Sequence, residues 1–160
     1  MLRIIQFEKE KHLSDLQKLI FAHQAFVRSI EPNVSLSIAH NFNLSDYLKS
    51  FFKSSTQNCI FVASEDEQIC GYFSIYASEC KNTAVYRYHT YAVLHEIFVS
   101  DDFRSRGIGK EFISSAKQWA KEHRCEYLSV GFSIMNPKAE KFYRANGFRQ
   151  NGVLSLLTIN

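Results

Sequence analysis

The chain of 160 residues is 46% hydrophobic and 14% aromatic, which excludes an intrinsically disordered chain and suits one compact domain over 1–160. Its formal net charge of +3 is too small to indicate a nucleic-acid partner. No apolar run approaches the roughly 18 residues of a membrane span, and the N-terminal residues are soon charged. We therefore expect no membrane partner and a cytoplasmic location.

Hydrophobic periodicity along the chain predicts alternating strands and helices without linkers, repeats or low-complexity segments. The predicted elements, in chain order, are a strand over 2–7, a long helix over 9–29, a short helix over 44–52, a hairpin of strands over 58–64 and 69–78, a strand ending at Val99, a helix over 108–121, a strand over 127–132, a helix from Pro137, and one or two closing strands over 148–159. His23 and Tyr47 fall on the apolar faces predicted for the first two helices. The order indicates a single α/β domain.

Metal binding is not indicated by the sequence. The four cysteines and six histidines show no C-x-x-C pair and no spacing typical of metal ligands. Most of the cysteines lie in apolar runs and are predicted to be buried thiols. We therefore expect a protein without a metal.

The most informative stretch is 104–109, Arg-Ser-Arg-Gly-Ile-Gly, between the strand that ends at Val99 and the helix that begins at Ile108. A short glycine-spaced loop at the start of a helix presents several backbone N–H groups on one concave surface. The helix dipole adds partial positive charge there, so such a loop can bind an anion. The pattern is neither a Walker loop nor a dinucleotide-binding fingerprint.

Residue types in this loop suit a phosphate group. Gly107 and Gly109 carry no Cβ, so a diphosphate could approach the backbone closely. Arg104, Arg106 and Lys110 add full positive charges around the same loop. The loop therefore predicts a phosphate-bearing ligand, with a purely structural strand-to-helix turn as the alternative.

A second motif over 136–148 has the pattern of a short helix with a signal at each end. Asn136 is the predicted N-cap, Pro137 takes the first helical position and Gly147 ends the helix. Apolar residues at helical spacing, Tyr143 among them, form one face. By itself, the segment is equally typical of an ordinary capped surface helix with Tyr143 as a packing residue.

Together the two motifs, R-x-x-G-x-G after a strand and then N-x-x-A-x-x-F-Y-x-x-x-G-F, resemble the GNAT superfamily of acyl-CoA-dependent N-acetyltransferases, over roughly 94–148. The resemblance implies an α/β (α+β) fold with a mixed, mostly antiparallel sheet of about six or seven strands flanked by about four helices. It also implies a V-shaped cofactor cleft between the strands that end near Val99 and Phe132. The implied reaction transfers an acetyl group from acetyl-CoA to a primary amine of a small molecule or peptide, by direct attack in a ternary complex.

The resemblance also implies which residues bind coenzyme A. The diphosphate would lie on the loop, and the pantetheine arm would lie along the strand edge, where the Val99 N–H would polarise the thioester carbonyl. Asn136 would contact the arm, and Tyr143 would protonate the departing thiolate as general acid. A packing or positioning role for Tyr143 is the alternative. The implied cofactor-binding residues are Ile97, Phe98, Val99, Arg104, Ser105, Arg106, Gly107, Ile108, Gly109, Lys110, Asn136 and Tyr143.

The general base is not assigned by the resemblance. Many members of the superfamily carry a carboxylate four residues before the last valine of the strand, where this chain has His95, and Glu96 follows. Because side chains alternate along a strand, these two are expected on opposite faces of the sheet. His95, Glu96 and water, or another residue, remain the candidates for the base.

The amine acceptor is not identified by these motifs. The loop over 30–43 and the aromatic run over 86–91 are the predicted walls of its pocket. The resemblance admits a homodimer, but no interface can be derived from the sequence. Two alternatives to the enzyme are a catalytically silent acyl-CoA-binding or regulatory domain on the same fold, and an interaction domain in which the Gly107 turn is only structural.

Overall fold

The computed structural model describes residues 1–30, 42–54, 57–85, 87 and 89–152. Its elements are β1 (Leu2–Gln6), α1 (Lys9–Ile30), α2 (Leu44–Ser54), β2 (Asn58–Glu65), β3 (Gln68–Cys80), β4 (His89–Val99), a 3₁₀ turn (Asp101–Phe103), α3 (Ile108–Glu122), β5 (Tyr127–Val130) and α4 (Pro137–Ala145). These elements follow the predicted order. β5 ends at Val130 rather than at 132.

The described strands form one five-stranded sheet in the order β1-β2-β3-β4-β5. Neighbouring strands are antiparallel except β4 and β5, which are parallel. The sheet is therefore mixed and mostly antiparallel, as predicted, and has five strands in the described part. The closing strands predicted over 148–159 fall mainly on residues outside the described part, and residues 148–152 form no strand.

Side chains alternate along each strand, so both faces of the sheet carry apolar side chains. Helices pack on both faces. On β3, Phe73 packs with Phe112 of α3 in one buried cluster, the α3 cluster. The adjacent Tyr72 packs with Leu16 of α1 and Leu48 of α2 in a second cluster, the α1–α2 cluster. No helix in the described ranges is long and apolar enough to cross a membrane.

β4 contains a bulge at His95. Two consecutive residues of β3 face Glu96 and Leu94, so His95 between them is an extra residue in the ladder. The bulge reverses the side-chain alternation: Leu94 belongs to the α3 cluster, whereas Phe98, four residues later, belongs to the α1–α2 cluster. In a regular strand both side chains would lie on the same face.

β4 and β5 separate toward their C-terminal ends. Their parallel pairing joins residues 91–94 to Tyr127–Val130 and stops there, whereas β4 continues to Val99. Within the described residues, the edge of β4 after Leu94 therefore has no strand partner on the β5 side. This open edge leads into the loop that precedes α3.

We predict that Gly71→Ala lowers the free energy of unfolding by about 1–3 kcal/mol, through overpacking where β3, β4 and α3 meet. A Cβ at Gly71 would lie 2.8 Å from the carbonyl oxygen of Phe98 and 3.2 Å from the ring of Phe112. Urea unfolding measures the change. The control is Gly131→Ala, whose Cβ would meet nothing within 4 Å, so wild-type stability is expected. Equal stability of the two variants would contradict this close packing.

Candidate functional site

The loop between β4 and α3 presents unpaired backbone N–H groups. Ser105 and Gly107 have positive φ angles of 63° and 85°, which turn the chain into the helix. The N–H groups of Lys110 and Glu111 donate to the Gly107 carbonyl. In the part of the chain that the structure describes, the N–H groups of residues 105–109 donate no hydrogen bond. They lie at the N-terminus of α3, where the sequence predicts an anion site, and they are free to donate to a ligand.

Arg106 is held by acceptors of the protein itself. Its Nη1 lies 3.0 Å from the Glu65 carboxylate, its Nη2 donates to the Asp102 carbonyl at 2.8 Å, and its guanidinium lies over the Phe103 ring. Lys110, by contrast, is exposed and has no ion pair with any described residue. Of these two predicted cations, Lys110 is therefore the one that is free for a ligand.

Arg104 lies on the α1 side of the sheet. Its guanidinium carbon is 5.0 Å from the ring centre of Phe26 and 5.5 Å from that of Phe98. Its Nη2 pairs with Asp101 at 2.7 Å, and its Nε donates to the Val99 carbonyl at 3.1 Å. Arg104 therefore connects the end of β4 to α1.

α4 packs directly against the start of α3. A Cβ built at Gly109 would lie 3.1 Å from the Phe142 ring, so only glycine allows this close approach without a shift of the ring. Asn136 caps α4 as predicted, since its Oδ1 accepts from the Ala139 N–H at 3.1 Å. The fold thus brings the two sequence motifs together.

Tyr143 is buried on the inner face of α4, with 5% of its surface exposed. Its ring packs against those of Phe132, Phe142 and Phe148, with ring centres 5.3–5.5 Å apart. Burial raises the pKa of its hydroxyl to about 12. The hydroxyl makes no hydrogen bond to any described residue, so at neutral pH it is a protonated donor available to a ligand.

At the end of β4, the side chains alternate between the two faces of the sheet, and one backbone N–H points toward the open edge. Ile97 and Val99 pack against the α3 cluster, whereas Phe98 is buried in the α1–α2 cluster. The Ser100 N–H donates to a carbonyl of β3 at 2.9 Å. Because backbone groups alternate in direction along a strand, the Val99 N–H points away from β3, toward the open edge.

His95 and Glu96 both face α2, which corrects the prediction that they lie on opposite faces. The Tyr47 hydroxyl of α2 donates to Glu96 Oε2 at 2.6 Å, and the Phe51 ring, one turn later, stacks on His95 with 6.2 Å between ring centres. The physical reason is the bulge, which places two successive side chains on one face. His95 is exposed and also contacts Tyr76, whereas Glu96 is half-buried.

Glu96 belongs to a hydrogen-bonded chain that reaches α1. The Tyr72 hydroxyl lies 3.4 Å from Glu96 Oε2 and 2.9 Å from His23 Nδ1. Burial, and then the Glu96 charge, raise the pKa of Tyr72 and of Tyr47. The His23 ring stacks on Phe98 with 5.0 Å between centres, and burial lowers the pKa of His23.

His23 and Tyr47 were predicted only as members of apolar helix faces, and the contacts of Tyr47 with Glu96 and of His23 with Tyr72 were not predicted. The available signal was a polar atom, an imidazole nitrogen or a tyrosine hydroxyl, on an otherwise apolar helix face. Such an atom needs a hydrogen-bond partner once it is buried. Of the predicted acceptor walls, the loop over 30–43 lies mainly outside the described residues, as do positions 86 and 88 of the aromatic run. No group of three or more His, Cys, Asp or Glu side chains in the described ranges could hold a metal ion.

Comparison with protein families gives one match that covers most of the chain. The family model described as the acetyltransferase (GNAT) family matches residues 28–148. An uncharacterized N-acetyltransferase of Methanocaldococcus jannaschii is 38% identical over 63 residues, which are 39% of this chain and 28% of that protein. Aminoglycoside N(6')-acetyltransferase type 1 of Salmonella typhimurium is 32% identical over 57 residues, 36% of this chain and 39% of that enzyme. Both matches thus span less than half of the relative.

Comparison with solved structures extends over the whole chain. The aminoglycoside N-acetyltransferase AAC(6')-Iy, solved in complex with the bisubstrate analog CoA-S-monomethyl-acetylneamine, has a TM-score of 0.74. The comparison covers 100% of this chain and 99% of that one, at 19% identity. At this identity the likeness concerns the fold.

Proposed function

The chain belongs to the acetyltransferase (GNAT) family, and on that premise we propose that it transfers an acetyl group from acetyl-CoA to a primary amine of a small molecule or peptide. The amine attacks the thioester directly while both substrates are bound. The observation that carries the proposal is the packing of a loop with unpaired N–H groups against the helix that bears the protonated Tyr143. The two parts supply what this chemistry needs most: a diphosphate site and a proton donor.

The diphosphate of coenzyme A would bind the N–H groups of 105–109 at the N-terminus of α3. Open space at Gly107, where a Cβ would meet nothing within 4 Å, supports this role. Lys110 would add a full positive charge that no described residue neutralises. Arg106 would need to leave Glu65 to contribute its own charge.

The pantetheine arm would lie along the open edge of β4, in a V-shaped cleft that widens from the end of the β4–β5 pairing toward Phe132. An unpaired strand edge offers backbone donors and acceptors to an amide-containing chain. The outward direction of the Val99 N–H suits polarisation of the thioester carbonyl as negative charge develops on it. Asn136 would contact the arm through its free amide nitrogen.

Proton transfer is assigned to two groups. Tyr143 would donate to the departing thiolate, since its raised pKa keeps the phenol protonated at neutral pH. Glu96 would accept the proton of the amine, because its carboxylate is held in place by the Tyr47 hydroxyl, which donates to Oε2 at 2.6 Å. His95, exposed on the same face, is the competing candidate.

The acceptor pocket would lie beside the β4 bulge, under α2. A carboxylate at Glu96 and the ring faces of Tyr76 and His95 are groups that attract an ammonium ion before it loses its proton. Because one relative and one structural neighbour are aminoglycoside acetyltransferases, aminoglycosides are the first acceptor class to test.

We predict that Gly107→Ala raises the dissociation constant for coenzyme A of the folded protein, separately from any loss of folding stability. Alanine at a φ of +85° is strained by about 1–2 kcal/mol, and its methyl group would occupy the space proposed for phosphate. Gly147→Ala is a matched control, because Gly147 has a φ of +90° and equal open space but lies after α4. Calorimetric titration with coenzyme A should give a raised dissociation constant for the Gly107 variant alone. Equal affinities would contradict the phosphate site.

The activity itself is tested by release of free coenzyme A thiol from acetyl-CoA. The amines are aminoglycosides, polyamines, amino acids and peptides with free N-termini or lysines. Thiol release that requires one amine class supports the transferase and identifies the acceptor. Tight coenzyme A binding without release for any amine would instead favour a silent acyl-CoA-binding domain, and no binding at all would favour an interaction domain.

A further inference from the structure

We propose that His23 and Tyr72 form a proton relay that carries the proton of the acceptor amine from Glu96 to the half-buried imidazole on α1. The inference rests on the proposed function, in which Glu96 takes that proton. It assigns a role to two residues that neither the sequence motifs nor the comparisons single out. Three side chains from three elements form a continuous path: Glu96 on β4, Tyr72 on β3 and His23 on α1.

The geometry of the path favours transfer toward His23. The Tyr72 hydroxyl has one proton and two neighbours, and the nearer is His23 Nδ1 at 2.9 Å, against 3.4 Å for Glu96 Oε2. When this proton is directed at His23, a lone pair of the same oxygen is left toward Glu96. Tyr72 itself is 1% exposed, so water has little access to it and the hydroxyl is a fixed link.

The surroundings of His23 keep it ready to accept a proton. Burial lowers its pKa, the Glu96 charge raises the pKa and the Arg104 charge lowers it. In the described part, the titratable or charged groups facing it are Tyr72 of β3, Glu96 of β4 and Arg104 of the loop after β4. Its neighbours one turn away on α1 have no ionisable side chain; these are Leu19, Ile20, Phe26 and Val27. The neutral ring is therefore favoured at pH 7, and half-burial leaves part of it in contact with solvent.

The transfer balances bond by bond. The acceptor ammonium gives one proton to Glu96, and the freed amine nitrogen bonds to the acetyl carbon as the C–S bond breaks. The second N–H proton leaves to water, Tyr143 protonates the thiolate, and Tyr143 regains a proton from water. Glu96 gives its proton to the Tyr72 oxygen while the original Tyr72 proton passes to His23 Nδ1. Glu96 is again a carboxylate, Tyr72 is again a neutral phenol, and the His23 imidazolium returns a proton to water.

Tyr47 provides a control within the same site. It donates to the same Glu96 oxygen at 2.6 Å, but its ring stacks on Phe51 and it has no contact with His23. Tyr47→Phe and Tyr72→Phe therefore each remove one hydroxyl that lies within 3.4 Å of Glu96 Oε2. Only Tyr72→Phe interrupts the path.

The first test is nitrogen NMR of the full chain labelled at histidine, without any ligand. The relay requires the His23 tautomer with the proton on Nε2, since Nδ1 must accept from Tyr72. We expect this tautomer in the wild type and in Tyr47→Phe, and its loss in Tyr72→Phe; the His23→Asn spectrum assigns the signal. A wild-type ring with its proton on Nδ1 would overturn the relay. This measurement needs no substrate, so the contrary tautomer overturns the relay whatever the thiol-release assay finds.

The second test is the pH dependence of kcat/KM with acetyl-CoA and neamine. His23→Asn keeps an acceptor near the Nδ1 position but cannot carry the proton, so it separates a structural hydrogen bond from a relay. We expect His23→Asn and Tyr72→Phe each to lower kcat by about 10²-fold, the lower end of general acid–base effects, with unchanged coenzyme A affinity. The double variant should be no slower than either single one.

The direction of the pH effect follows from the role of His23. Below its pKa the ring is protonated and cannot accept, so the wild-type rate falls as the pH falls through that value. The pH profile of kcat/KM for His23→Asn should therefore lack this fall at low pH. A His23→Asn enzyme with the wild-type rate and pH profile would exclude the relay, although neamine acetylation would still support the transferase.

Discussion

Tyr143→Phe is expected to lower kcat by about 10²–10⁴-fold while the affinity for coenzyme A stays at the wild-type value. The substitution removes the hydroxyl proposed to protonate the departing thiolate and leaves the ring in its contacts with Phe132, Phe142 and Phe148. Burial that raises the pKa of Tyr143 to about 12 widens the gap to a thiolate with an ordinary pKa of about 8.5, so the phenol keeps its proton until the C–S bond breaks. Thiol release under saturating acetyl-CoA measures kcat, and calorimetry measures the affinity.

The control for this variant is Tyr127→Phe, which removes the hydroxyl of an exposed tyrosine on β5. It should retain wild-type activity. Because burial raises the pKa of Tyr143 to about 12, its deprotonation should cause no loss of rate until the pH approaches that value. A Tyr143→Phe enzyme with the wild-type kcat would show that the tyrosine only packs.

Glu96→Gln should lower kcat by about 10²–10⁴-fold with the same acceptor amine. The amide oxygen can still accept from Tyr47, so the local structure should persist, but the neutral group cannot take a proton at neutral pH. Since an alkylamine is almost fully protonated at pH 7, the loss should be smaller at alkaline pH, where more free amine is present. The pH profile of kcat/KM measures this dependence.

His95→Gln and Glu79→Gln serve as comparisons for Glu96→Gln. Glu79 lies on β3, is exposed, and should tolerate the same chemical change without loss of rate. His95 lies on the same face as Glu96 but stacks on Phe51 and Tyr76. If His95→Gln lowered kcat more than Glu96→Gln does, the base would be His95 and the assignment to Glu96 would be wrong.

Local sequence patterns predicted the elements that carry the proposed cofactor site. Gly107 lies in the predicted turn directly before α3, and Asn136 caps α4 in the predicted way. These features depend on residues within one or two turns of each other, so backbone preferences and capping hydrogen bonds determine them. The order of strands and helices along the chain followed from hydrophobic periodicity, and the family resemblance was confirmed over 28–148.

Side-chain directions at the site did not follow from periodicity. Regular alternation predicted opposite faces for His95 and Glu96, but one extra residue in the β3–β4 ladder turned both toward α2. The charges of Arg104 and Arg106 were also predicted to surround the loop, whereas the structure pairs them with Asp101 and Glu65. A bulge and an ion pair both depend on a partner strand or loop distant in the sequence, which a local pattern does not contain.

The glycine loop before α3 and the capped helix α4 with its inward tyrosine can be predicted from the amino-acid sequence, because each is encoded by residues that are neighbours in the chain. Folding, by contrast, brings Tyr47 and Tyr72 to Glu96 and places His23 beside Tyr72. Those contacts join residues 24 and 49 positions apart, and they exist because α1 and α2 pack on the face to which the bulge turns Glu96. The proposed diphosphate site is thus local in origin, whereas the proposed path for the amine proton is a product of packing.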